Sequence, residues 1–85
     1  MESYKVLIKP SAAKEIEGIP KKDRIRVVER IQGLAQDPRP PGCEKLSIQD
    51  RYRVRQGDYR IVFSIDDGAG TVLIVKVAHR REVYR

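Results

Sequence analysis

The sequence predicts an α+β domain: a first strand, a two-helix hairpin, then an antiparallel meander that ends in a short C-terminal tail. Apolar residues recur at helical spacing only in the first half of the chain, and from Cys43 onward the period falls to two. Turn signals at 56–58 and 66–70 then divide the second half into three strands. Eighty-five residues suffice for one modest core, so residues 1–85 are expected to form a single domain.

Residues 4–8 read as the first strand, ended by Lys9-Pro10. Ser11 is a suitable N-cap for a short helix over 11–18, with Ala12, Ala13, Ile16 and Ile19 as its apolar positions and Gly18 and Pro20 as its limit. A second helix is expected over 21–35. Ile25, Val28, Ile31 and Leu34 form its apolar stripe, and Asp37-Pro38-Arg39-Pro40-Pro41-Gly42 stops it. Residues 45–47 suit a short edge strand, and 52–55, 59–65 and 71–78 the three meander strands. Asp66-Asp67 before Gly68 reads as a hairpin turn rather than a metal-binding pair.

In the strand at 59–65, Tyr59, Ile61, Phe63 and Ile65 share one parity and make a natural core face. Tyr52 and Val54 match them, leaving Arg53 and Arg55 on the opposite face, where Arg60 joins them across the turn. In the last strand, Leu73, Val75, Val77 and His79 share a parity, as do Val72, Ile74 and Lys76; either set suits the helix side.

Charge points the same way. The net value is +6, with ten Lys or Arg against eight Asp or Glu in residues 1–50 and eight against four in residues 51–85. The surplus gathers where the arginines alternate, as a polyanionic partner requires. Three neighbouring guanidinium groups repel unless an anion lies between them, and their forks bind phosphate bidentately. A solvated face whose Arg stems cover apolar surface gives the same pattern. His79, the one histidine, has an unperturbed pKa near neutrality and suits proton transfer, though taken in isolation a surface or strand-end histidine without a task is the favoured reading. Tyr84 suits stacking on a base or packing back on the sheet.

Cys43 stands alone, so no intrachain disulfide forms, and one Cys with one His cannot build a structural zinc site. No apolar run approaches the roughly 18 residues of a membrane span. Glu2 and Lys5 interrupt any secretory pattern. The expectation is a cytoplasmic protein without metal, cofactor or membrane contact.

The stretch Tyr52-Arg53-Val54-Arg55-Gln56-Gly57-Asp58-Tyr59-Arg60-Ile61-Val62-Phe63, followed by Val75-Lys76-Val77-Ala78-His79-Arg80-Arg81-Glu82-Val83-Tyr84, resembles the RelE branch of the RelE/ParE toxin superfamily. Tyr4-Lys5-Val6-Leu7-Ile8, Ala12-Ala13-Lys14-Glu15-Ile16 and residues 38–46 fit the same pattern. The resemblance implies the toxin of a type II toxin–antitoxin pair, entering the ribosomal A site and cutting mRNA without a metal. There the ribose 2′-OH attacks the adjacent phosphate and leaves a cyclic phosphate. It further implies Arg53 and Arg55 as the basic strand pair and Arg60 as the phosphate-stabilising arginine. Arg80 or Arg81 becomes the acid to the leaving oxygen, and Tyr84 the tyrosine that orients the substrate. His79 is a candidate base or acid beside them.

Some members of that family carry lysines where this chain has Arg53 and Arg55, and an arginine does not give up its proton, so the base stays open. The implied partners are mRNA, the ribosomal A site and an acidic-faced antitoxin, with operator DNA reached only through the antitoxin complex. The chain stops one residue past Tyr84, which moves expected antitoxin docking to the two helices and the sheet edge. Two alternatives share the fold: a ParE-like gyrase inhibitor that cuts no RNA, and a decayed toxin acting only in a DNA-binding complex.

Overall fold

The computed structural model describes residues 3–47 and 50–83. The elements in chain order are β1 (Lys5–Ile8), α1 (Pro10–Glu17), α2 (Lys21–Gly33), β2 (Glu44–Lys45), β3 (Arg51–Gln56), β4 (Tyr59–Asp66), β5 (Thr71–His79) and α3 (Arg80–Val83). The strands form one sheet in the order β1-β5-β4-β3-β2. The meander β3-β4-β5 is antiparallel, as its sequence period requires, whereas β1 joins β5 in parallel, making the sheet mixed.

Both main helices lie on one face. Pro10, not Ser11, opens α1: its fixed φ suits the first helical position, Lys9 becomes the N-cap, and no side-chain cap bond forms. Helix α2 ends two residues sooner than its apolar pattern suggests, at Gly33. Val27 and Ile31 are its buried positions and Leu34, just past its end, is buried as well, while Ile25, expected in the stripe, is 50% exposed. Between the helices and the sheet lie Ala12, Ile16, Val54, Ile61, Phe63, Val72 and Ile74, all buried. Tyr52 stacks on Phe63 with ring centroids 5.9 Å apart, extending that core to the strand's edge.

Strand β5 does not keep one parity. Phe63 pairs with Ile74 but Val62 pairs with Lys76, so Val75 is a bulge. Before it, Val72 and Ile74 face the helices; beyond it, Val77 and His79 do. The bulge leaves the Val77 N–H on an edge that β1 no longer reaches. Glu15 of α1 supplies the missing acceptor: its Oε1 takes the Val77 N–H at 2.9 Å while Oε2 pairs with Lys76 Nζ at 3.1 Å. Among the described residues, no helix is long and apolar enough to cross a membrane.

Candidate active site on the arginine face

The β3–β4 hairpin sets the site. Gly57 adopts φ +61° at the head of the turn, a conformation that admits the tight reversal and fixes the register Gln56↔Tyr59, Arg55↔Arg60 and Arg53↔Val62. Directly opposed residues share a face, so Arg53, Arg55 and Arg60 stand together on the side away from α1 and α2, as their spacing predicts. They are not equivalent. Arg55 is exposed, Arg53 is half-buried, and Arg60 is 4% exposed. Arg60 is therefore not the open clamp that the sequence suggests; its stem is packed and its charge acts from within the face.

A carboxylate relieves the repulsion. Glu44 of β2 lies opposite Arg53, and Arg53 Nη2 donates to Glu44 Oε1 at 2.8 Å. That hydrogen bond and the Arg53 charge, with Arg55 and Arg60 adding theirs, hold the Glu44 carboxyl below its ordinary value of 4.5. One acceptor-only side chain thus senses all three guanidinium groups.

His79 is elsewhere. It pairs in register with Tyr59, whose ring faces the core, and the two rings meet edge-on with centroids 5.5 Å apart. Its Nδ1 accepts the Arg81 N–H at 3.3 Å where α3 begins, and its ring borders a small cavity with Lys14, Glu15 and Ile19. The Val75 bulge is the reason. Leu73 pairs with Ser64 on the arginine face, and unbroken alternation from Leu73 would have carried His79 to the same side. The expected meeting of His79 with the arginine cluster does not occur.

Arg80 and Arg81 are exposed. The Arg80 N–H donates to the Asp58 carbonyl at 2.7 Å, and its Nε lies 3.9 Å from Asp58 Oδ1, which places α3 at the hairpin end, beside the Arg55–Arg60 pair. Tyr84, the remaining candidate, lies outside the described residues. Burial pushes the Cys43 thiol up, away from nucleophilic use.

At the other end of the sheet, Arg39 from the Pro-rich loop donates to both oxygens of Asp67, at 3.3 and 2.9 Å, and Tyr4 Oη donates to Asp67 Oδ1 at 2.6 Å. The Arg39 guanidinium also lies over the Tyr52 ring, 5.3 Å from its centroid. This clamp ties the first strand, the loop, β3 and the β4–β5 turn together.

Sequence reasoning missed two residues. Glu44 was passed over because the edge strand was placed at 45–47, one step too late. Arg51 extends the alternation of Arg53 and Arg55 by one step, pairs with Ser64, and so shares their face.

Comparison with known proteins agrees with this architecture. Residues 6–84 match the family described as ParE toxin of type II toxin-antitoxin system, parDE. The toxin RelE of Mycobacterium tuberculosis is 34% identical over 84 residues, spanning 96% of this chain and 87% of that protein. The crystal structure of the toxin–antitoxin complex RelBE2 from the same organism superposes with TM-score 0.82 at 29% identity, covering 94% of each chain. The archaeal RelE–RelB complex from Pyrococcus horikoshii gives 0.82 at 30% identity, over 92% of this chain and 96% of the other. With the family match, the sequence identity and the shared fold, the chain belongs to the RelE/ParE superfamily of type II toxin–antitoxin toxins.

Proposed function

We propose that this protein is a ribosome-dependent mRNA endoribonuclease whose chemistry sits on the arginine face. The observation that carries the reading is Glu44 held among Arg53, Arg55 and Arg60. The scissile phosphate adds negative charge beside Glu44, bridged by Arg55 and Arg53 with Arg60 beneath it. Its negative charge offsets the guanidinium groups that keep Glu44 a weak base, and the carboxylate's pKa climbs toward the range useful for proton transfer. Glu44 then accepts the 2′-OH proton as the 2′ oxygen attacks phosphorus. The bond to the 5′ oxygen breaks, a cyclic phosphate remains, and the departing oxygen takes a proton from solvent. Arg80 and Arg81, at the hairpin end, donate hydrogen bonds to that oxygen as its charge develops. His79 takes no part in this scheme.

The ribosome aligns the RNA, which accounts for a site that is a face rather than a closed pocket. The second partner is a cognate antitoxin, by likeness to relatives solved as complexes with RelB. An apolar groove of about 410 Å³ between β1, α1 and α2, lined by Val6, Ile8, Ile16, Val28 and Ile31, suits its docking on the side away from the arginines.

The deciding experiment is cleavage of one mRNA with and without programmed ribosomes, mapping the cut ends. Cuts within the A-site codon only when ribosomes are present support the reading. Intact RNA together with growth arrest and inhibited supercoiling replaces it with gyrase inhibition, the activity that a ParE-type relationship suggests.

A further inference from the structure

At the end of the arginine face far from the hairpin, Arg51 pairs with Ser64 and Asp66 pairs with Thr71. Alternation along β4 puts Ser64 and Asp66 on the same side, so all four residues share that face. They line a polar cavity of about 550 Å³ together with Asp50, Tyr52, Arg39 and Asp67. Its charge is not that of an anion site. Arg39 and Asp67 neutralise each other, which leaves one guanidinium, Arg51, against two carboxylates, Asp50 and Asp66. Such a lining repels a phosphate and offers both donors and acceptors to a neutral polar group.

Arg51 and Asp66 are diagonal neighbours on adjacent strands, a relation that sets residues roughly 7–8 Å apart. Arg51 is half-buried, and among the described residues no hydrogen bond or ion pair engages its guanidinium. Asp66 Oδ1 accepts the Ala69 N–H at 3.0 Å, which anchors the carboxylate and leaves Oδ2 without a described partner. A fork of donors and an anchored carboxylate, held apart, discriminate among the bases. Guanine sets two acceptors, O6 and N7, side by side for the guanidinium. It sets two donors, N1–H and the N2 amino group, side by side for the carboxylate. Adenine and cytosine present one amino group next to a ring lone pair, and uracil one N–H between two carbonyls. Each of these three leaves a carboxylate oxygen opposed to another acceptor.

We propose that this cavity is a guanine-reading subsite for the nucleotide on the 5′ side of the cut, with Arg51 on O6 and N7 and Asp66 on N1 and N2. The proposal rests on the ribonuclease reading and adds a sequence preference to it. Position follows from the strand. The 2′-OH belongs to the 5′-side nucleotide, and Glu44, which takes its proton, lies opposite Arg53. That nucleotide therefore leads from the phosphate bridged by Arg53 and Arg55 toward Arg51. The distance along β3 is about 10 Å, a span that one nucleotide covers from its phosphate to the far edge of its base.

The test uses the whole protein and ribosomes with an empty A site, programmed with messages that differ only in the base 5′ of the cut. Wild type should cut the guanine message about 10-fold faster than the adenine, cytosine and uracil messages, the discrimination of one good bidentate pair. Two guanine analogues separate the contacts without altering the protein. Inosine lacks the N2 amino group that Asp66 accepts from, and 7-deazaguanine lacks the N7 that Arg51 donates to; wild type should cut both more slowly than guanine. Asp66→Asn should cut inosine and guanine messages equally, and Arg51→Gln should do the same with 7-deazaguanine and guanine, with thermal unfolding as a check that each variant folds. Equal wild-type cutting of all four bases, or of guanine and both analogues, overturns the subsite and leaves the nuclease in place. A folded variant that still distinguishes its analogue from guanine does so too. Failure to cut any message removes the ribonuclease reading, and the subsite with it.

Discussion

Arg53 Nη2 donates to Glu44 Oε1 at 2.8 Å, and this contact brings a carboxylate of the edge strand β2 into the basic row of β3. It is a partly exposed ion pair, with 56% of the Glu44 side chain accessible, so its value to stability is small. Its chemical consequence is larger, because it places a proton acceptor among guanidinium groups that cannot act as bases. Glu44→Gln keeps the shape and a hydrogen-bonding oxygen while removing the base and one negative charge. Cleavage on programmed ribosomes should fall by about 100-fold or more, the range of general-base catalysis. RNA binding should hold or tighten. Wild-type cleavage by Glu44→Gln strikes Glu44 from the mechanism.

Burial of Arg60 changes what its substitution means. Arg60→Ala removes a packed stem as well as a charge and should cost on the order of 2 kcal/mol of stability, so loss of activity in that variant mixes two effects. Arg60→Met keeps much of the packing without the charge. It should fold with a melting temperature nearer wild type and still lose about 100-fold in cleavage, as removal of one transition-state donor does. Retained cleavage in a folded Arg60→Met protein excludes Arg60 from phosphate stabilisation.

His79 offers the converse test. Its ring packs edge-on against Tyr59 on the helix side, and Nδ1 accepts the Arg81 N–H, the second amide of α3. His79→Phe preserves the aromatic contact and removes both ring nitrogens, and with them any proton transfer through this side chain. Its cleavage rate should follow the wild-type pH profile between pH 6 and 8, with a modest fall in melting temperature from the lost Arg81 bond. A limb that disappears from the profile of the folded variant returns His79 to the proton transfers.

These three residues mark where the sequence was legible. Strict alternation placed Arg53, Arg55 and Arg60 on one face, because the hairpin register is fixed by Gly57 and by the apolar residues between the arginines. The core of β4 followed from the same rule. His79 escaped it because one unpaired residue, Val75, reverses parity, and nothing in a run of Val, Leu and Ile marks which residue will bulge. The parallel seating of β1 beside β5 was equally hidden, since it depends on a crossover through both helices rather than on local pattern. Glu44 was lost to a two-residue strand too short to show a period. Arg60's burial depends on packing that alternation does not encode.

The Glu15 contact yields a stability prediction of a different kind. Its carboxylate occupies the edge of β5 that β1 leaves open, accepting from the Val77 N–H and pairing with Lys76. Glu15→Ala strips the acceptor from a part-buried amide and should cost about 1–3 kcal/mol, visible in denaturant unfolding. Glu15→Gln retains an acceptor oxygen and should recover most of that loss. Equal destabilisation by both variants would mean that the Lys76 ion pair, not the amide, is what Glu15 supports.

The clamp at Asp67 should make stability fall on acidification. Hydrogen bonds from Arg39 and then Tyr4, with the Arg39 charge adding, hold the Asp67 carboxyl below its ordinary value of 3.8. A depressed carboxylate stabilises the fold at pH values above its unfolded-state pKa, and that stabilisation is lost as pH falls through the lower folded-state value. Asp67→Asn lacks the charge at every pH. Wild type should therefore melt higher than Asp67→Asn at neutral pH, and the gap should close below about pH 3.8. The Glu44 carboxyl, also depressed, is present in both proteins and cancels in the difference. A gap that stays constant from pH 7 to pH 2.5 would show that the Asp67 charge adds nothing to the clamp and that the tie between the first strand and the loop rests on packing around Tyr52.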